Sequence, residues 1–105
     1  MTKEKKVGAS AFEQICRESR LEPVKKIKVG HRIVLIADGY KQDHPDFRGP
    51  HHQTVWAVGK DEDNLEVARP LYFSVLNLTS KETRVAAAEQ DGKDFAEEMN
   101  ARSIP

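Results

Sequence analysis

From Val24 to Leu78 the chain offers strand-like runs in succession, with no helix-period segment between them. Parallel neighbours need a crossover of a dozen or more residues, usually helical, so a chain patterned this way pairs its strands mostly antiparallel. Ile27 and Val29 alternate with lysines, as in a half-solvated strand, and Gly30 permits a turn or bulge before the unbroken run Ile33 to Ala37. That run suits a central strand buried on both faces. Thr54 to Gly59 and Leu65 to Ala68 flank the acidic turn 60–64 and read as a hairpin. Arg69-Pro70 is expected to break the ladder, with strand resuming over Leu71 to Leu78.

Helices are expected on either side of this region. Ser10 and Glu13 have the spacing of a capping box, which opens a helix from about Ala11 to Leu21 with Phe12, Ile15 and Cys16 on one face. Pro23 is expected to end it. Near the other end, Val85, Ala88, Gly92, Phe95 and Met99 keep one heptad phase across Asp91-Gly92. A turn would have no reason to preserve that phase, so the spacing predicts one helix over 81–101, although Gly92 weakens it by about 1 kcal/mol relative to alanine. The seam is narrow and two of its members are very small, which favours a helix lying on the sheet over a coiled-coil homodimer.

The expectation is therefore an α+β fold: a small, mostly antiparallel curved sheet with an N-terminal helix and a long C-terminal helix. The stretch Lys28 to Val34 leaves SH3-like, barrel-like closure open. Residues 1–8 have almost nothing to bury and are read as a mobile basic tail, and 9–105 as a single domain.

Composition narrows function mainly by exclusion. Hydrophobic residues are 38% and charged residues 32%, which implies a thin core and a heavily solvated exterior. The single cysteine, Cys16, excludes an intrachain disulfide and a multi-thiolate zinc site, and fits a cytoplasmic setting. No run is long and apolar enough for a membrane span. Net charge is zero but uneven: residues 1–32 hold nine Lys/Arg against four Glu, and the remainder is correspondingly acidic. A nucleic-acid-binding module built on Lys25, Lys26, Lys28 and Arg32 is one reading of that asymmetry. Alternating lysines that protect a sheet edge are the plainer one.

Asp38 to His52 is polar and holds three of the four histidines, His44, His51 and His52. Connections longer than about 12 residues are uncommon in compact folds and usually have a role. His44, Asp46 and His51 could meet around zinc or a similar ion if the loop folds back. Their spacing matches no established metal motif, and His51 and His52 would point to opposite faces of a strand, so no cofactor is expected. Catalysis is the less favoured expectation, because no nucleophile and no phosphate-binding or dinucleotide fingerprint accompanies His31, Asp38, His44 or Asp46. Tyr40, Phe47 and Arg48 are residue types that anchor protein interfaces, and two prolines limit the entropy lost on ordering the loop. A non-enzymatic protein-binding or regulatory module, acting through 38–52 and a sheet edge, is the favoured expectation.

Overall fold

In the computed structural model, residues 10–43 and 49–102 are described. The elements follow as α1 (Ala11–Ser19), β1 (Glu22–Val29), β2 (Arg32–Lys41), β3 (His51–Gly59), β4 (Leu65–Ser74), a 3-10 turn (Val75–Asn77) and α2 (Lys81–Arg102). The four strands form one antiparallel sheet in the order β1-β2-β3-β4, so each pairs with its sequence neighbour. The sheet is open, with β1 and β4 as its two edges, and does not close into a barrel. The tail read over 1–8 lies outside the described residues.

Helix α1 starts where its capping box predicts. The Ser10 hydroxyl accepts from the Glu13 amide, and the Glu13 carboxylate accepts from the Ser10 amide. It ends earlier than Pro23 suggested. Arg20 takes a left-handed conformation at φ 56°, and the Arg20 and Leu21 amides donate back to the Arg17 and Cys16 carbonyls. Such a cap closes the helix by its own hydrogen bonds, which leaves Pro23 free to sit inside edge strand β1.

Each face of the sheet is covered by one helix, which explains why β2 and β3 are buried on both sides. On one face Phe12, Cys16 and Leu21 pack against Leu35, Ala37, Val55 and Ala57. On the other, Val85, Ala88 and Ala96 of α2 pack against Val34, Ile36, Trp56 and Val58, with Phe95 tilted against the Trp56 ring at 5.8 Å. Each large apolar side chain so buried contributes roughly 1.5–3 kcal/mol. Helix α2 is continuous through Gly92, as the heptad phase predicts, and the seam faces the sheet. Gly92 is where helix and sheet come closest: a β-carbon there would stand 2.5 Å from Val34 Cγ1.

Two boundaries differ from expectation. Strand β4 runs unbroken through Arg69-Pro70, because an edge strand has outward-facing amides that proline can lack without loss of pairing. It then stops at Ser74, whose hydroxyl accepts from the Leu76 amide and starts the 3-10 turn where strand was expected to continue to Leu78. The polar stretch 38–52 is also less of a loop than it reads. Strand β2 continues to Lys41 and β3 begins at His51, so Asp38, Tyr40, His51 and His52 are strand residues.

Candidate functional site

Alternation along β2 and β3 sorts the polar residues of this region by face. Asp38, Tyr40, His52 and Thr54 share the α2 side, whereas Lys41, His51 and Gln53 share the α1 side.

On the α2 side, Asp38 is buried and paired with Arg84 of α2. Arg84 donates from Nε to Oδ1 at 3.2 Å and from an η nitrogen to Oδ2 at 2.9 Å, while its other η nitrogen donates to the Thr79 carbonyl at 2.7 Å. The Thr54 hydroxyl donates to the same carboxylate at 2.6 Å. Burial pushes the Asp38 carboxyl upward, but the hydrogen bonds from Arg84 and Thr54 and the charges of Arg84 and His52 outweigh it, so its pKa lies below the usual value. A buried ion pair of this kind fixes where α2 begins against the sheet. The Asp38 carboxylate is thus engaged by Arg84 and Thr54 within the fold.

One row further out, Tyr40, His52 and Phe73 are register partners across β2, β3 and β4. The Tyr40 and His52 rings meet edge to face at 5.5 Å. Burial, then the Arg84 charge, lowers the His52 pKa, with His51 adding to this and Asp38 opposing it. Both shifts have the same sign in linkage. A folded-state pKa below the unfolded one means that the unfolded chain binds protons more readily, so stability is lost as pH falls through that interval. Urea midpoints are therefore expected to fall on acidification in two stages: below about pH 6.5 as His52 titrates in the unfolded chain, and below about pH 4 from Asp38. His52→Gln is expected to flatten the first stage alone. An unchanged slope between pH 7 and 5.5 in that variant would contradict the assignment.

Beyond this row the chain turns into the 3-10 segment, tied to the same end of the sheet by the Val75 amide donating to the Pro50 carbonyl. Here Leu76 and Leu78 are 87% and 88% exposed, and Tyr40 is 50% exposed. Leu78 also has φ 53°, a left-handed conformation that costs a residue with a β-carbon about 1–2 kcal/mol. The sequence reading missed both leucines because it assigned them to a strand. The only available signal was the pairing of two leucines with Asn77 and Thr79, which suits a turn better than a ladder.

The other predicted residues fare unequally. His51 is buried on the α1 side, with Nδ1 2.8 Å from the Gly49 carbonyl and its ring edge-on to Tyr72. His52 points to the opposite face, as alternation predicts. His31 lies in the β1–β2 turn, at the far end of the sheet from His51, so these two do not converge. His44, Asp46, Phe47 and Arg48 lie outside the described residues. Among the described residues no three His, Cys, Asp or Glu side chains are grouped to hold a metal ion.

The basic set is largely committed within the fold. Arg32 is buried, with two nitrogens on the Glu66 carboxylate and a third donating to Asn100 at 2.8 Å. It is thus a corner clamp between β2, β4 and α2, and cannot present itself to a phosphate backbone. Lys25 pairs with Glu89 at 2.6 Å and Lys26 with Glu62 at 3.5 Å, while Lys28 is exposed. Trp56, the largest aromatic, is core and offers no stacking surface. Cys16 is buried, and burial followed by the nearby Glu13 charge raises its thiol pKa, the reverse of what a reactive cysteine needs. No described helix is long and apolar enough to cross a membrane. No protein-family model, no curated protein and no solved structure matches the chain.

Proposed function

We propose that this protein is a small, non-enzymatic binding module whose partner is another protein, engaged at the end of the sheet that carries Tyr40, Leu76 and Leu78. The carrying observation is Leu78. Its side chain is almost fully in water and its backbone is in a conformation that glycine or asparagine would adopt more cheaply. Folding gains nothing from that combination, whereas a partner that covers the side chain would. Leu76 and Tyr40 are further large apolar side chains exposed at this end of the sheet, and aromatic residues are enriched in interface cores. Phe47 and Arg48, in the same β2–β3 connection, belong to the proposed contact through their place in the chain.

Strand addition at a sheet edge supports this function less well. Edge β1 carries Pro23 and three lysines, and edge β4 carries Pro70, all features that discourage pairing with another chain.

The test uses Leu78→Gly. Relief of the left-handed strain, less the extra entropy of glycine, is expected to stabilise the domain by roughly 0.5–1 kcal/mol. The same change is expected to abolish capture of the partner that the unmodified protein retains from lysate, as are Leu76→Ser and Tyr40→Ala. A Leu78→Gly variant that is less stable and still captures the partner would show that Leu78 serves the fold and not a contact.

A further inference from the structure

On the α1 side of the sheet, at the same end, a cleft of about 580 Å³ is lined by Arg20, Lys41 and Gln53, with Glu18 and Asp43 also along it. Its construction follows from a close approach. A β-carbon on Gly39 would stand 2.8 Å from the Arg20 carbonyl oxygen, so the cap of α1 sits directly on β2 at that glycine. Lys41 is the next β2 residue on this face, and Gln53 is the register partner of Gly39 on β3. Three nitrogen donors from three elements therefore line one space.

None of the three is used by the fold. Among the described residues the Gln53 side-chain amide makes no hydrogen bond, although only 8% of that residue is exposed, and the Arg20 and Lys41 side chains make no ion pair. The Gln53 amide is therefore open to the cleft and not spent inside the fold. Arg20 and Lys41 are the two cations of the cleft. Burial, and then the Arg20 charge, lowers the Lys41 pKa, and Asp43 Oδ1 accepts from the Gly49 amide at 3.2 Å.

We propose that this cleft binds a phosphoryl dianion, held between the Arg20 guanidinium and the Lys41 ammonium group with the Gln53 amide as a third donor. Two cations match two negative charges, and donors from three elements suit a tetrahedral group with three free oxygens better than a planar carboxylate. Inorganic phosphate and a phosphate monoester share this chemistry. Tyr40 lines this cleft as well as belonging to the proposed contact, whereas Leu76 and Leu78 do not line it.

The test is a titration of the purified full chain at constant ionic strength, with the Gln53 side-chain amide signals followed by NMR. Inorganic phosphate, glycerol 3-phosphate and chloride serve as separate arms. Saturable shifts with either phosphate and none with chloride are expected, weakened about tenfold or more in both Lys41→Gln and Arg20→Gln. The arm that saturates at lower concentration identifies free phosphate or an ester as the better ligand. Shifts that rise linearly without saturation, or that are unchanged in Lys41→Gln, would overturn the proposal. Each variant's unfolding curve is recorded alongside, so that lost binding is counted only in a folded protein.

Discussion

Replacing Arg84 with methionine is expected to lower the unfolding free energy by about 3–5 kcal/mol, the cost of leaving the Asp38 carboxylate buried without its counter-charge. The same change strands the Thr79 carbonyl and the first contact between α2 and the sheet. Urea unfolding followed by circular dichroism measures it directly. The informative comparison is the combined variant Asp38→Leu, Thr54→Val, Arg84→Met, which removes every member of the network together. It is expected to regain most of the loss, because apolar groups of similar volume often replace a buried ion pair with little penalty. A single variant costing under about 1 kcal/mol would mean that water reaches the carboxylate and that the pair is not the clamp described above.

The second large effect is expected at Gly92, where helix propensity and packing disagree in sign. Alanine should favour the helix by about 1 kcal/mol. Its β-carbon, however, would meet Val34 Cγ1 at 2.5 Å, and Val34 is a stiff, fully buried strand residue that cannot swing aside. Overpacking of this kind costs about 1–3 kcal/mol and commonly displaces backbone, so Gly92→Ala is expected to be a net loss in the same unfolding assay. Adding Val34→Ala should restore part of it by opening the space. A Gly92→Ala variant more stable than the parent would show that α2 can lift from the sheet at no cost.

The elements that could be read from sequence were those whose pattern is local. The Ser10–Glu13 capping box, the Ile33 to Ala37 run and the unbroken phase of α2 each needed only neighbours within a turn or two, and each appears as expected. What could not be read depended on residues far apart in the chain. Asp38 looks like a loop carboxylate until Arg84, on a helix 46 positions later, is brought against it. Arg32 looks like a nucleic-acid contact until Glu66 and Asn100 surround it. Pro70 looks like a break until its strand proves to be an edge. The proposed sites suffered most: Tyr40 was legible as an interface type, but Leu76 and Leu78 were hidden by a strand-like composition, and the cleft of Arg20, Lys41 and Gln53 exists only because the α1 cap rests on Gly39.

The order of the sheet, with every strand beside its sequence neighbour, also governs how the domain comes into being. Each strand pairs with the one before it in the chain, so no pairing waits on a distant segment. Helix α2, which covers Val34, Ile36, Trp56 and Val58, follows all four strands in the chain. Until α2 docks, a sheet already paired would hold this oily face bare. The interval between sheet and lid is thus the stage at which chaperones have a surface to hold, and at which premature termination would release a sticky fragment.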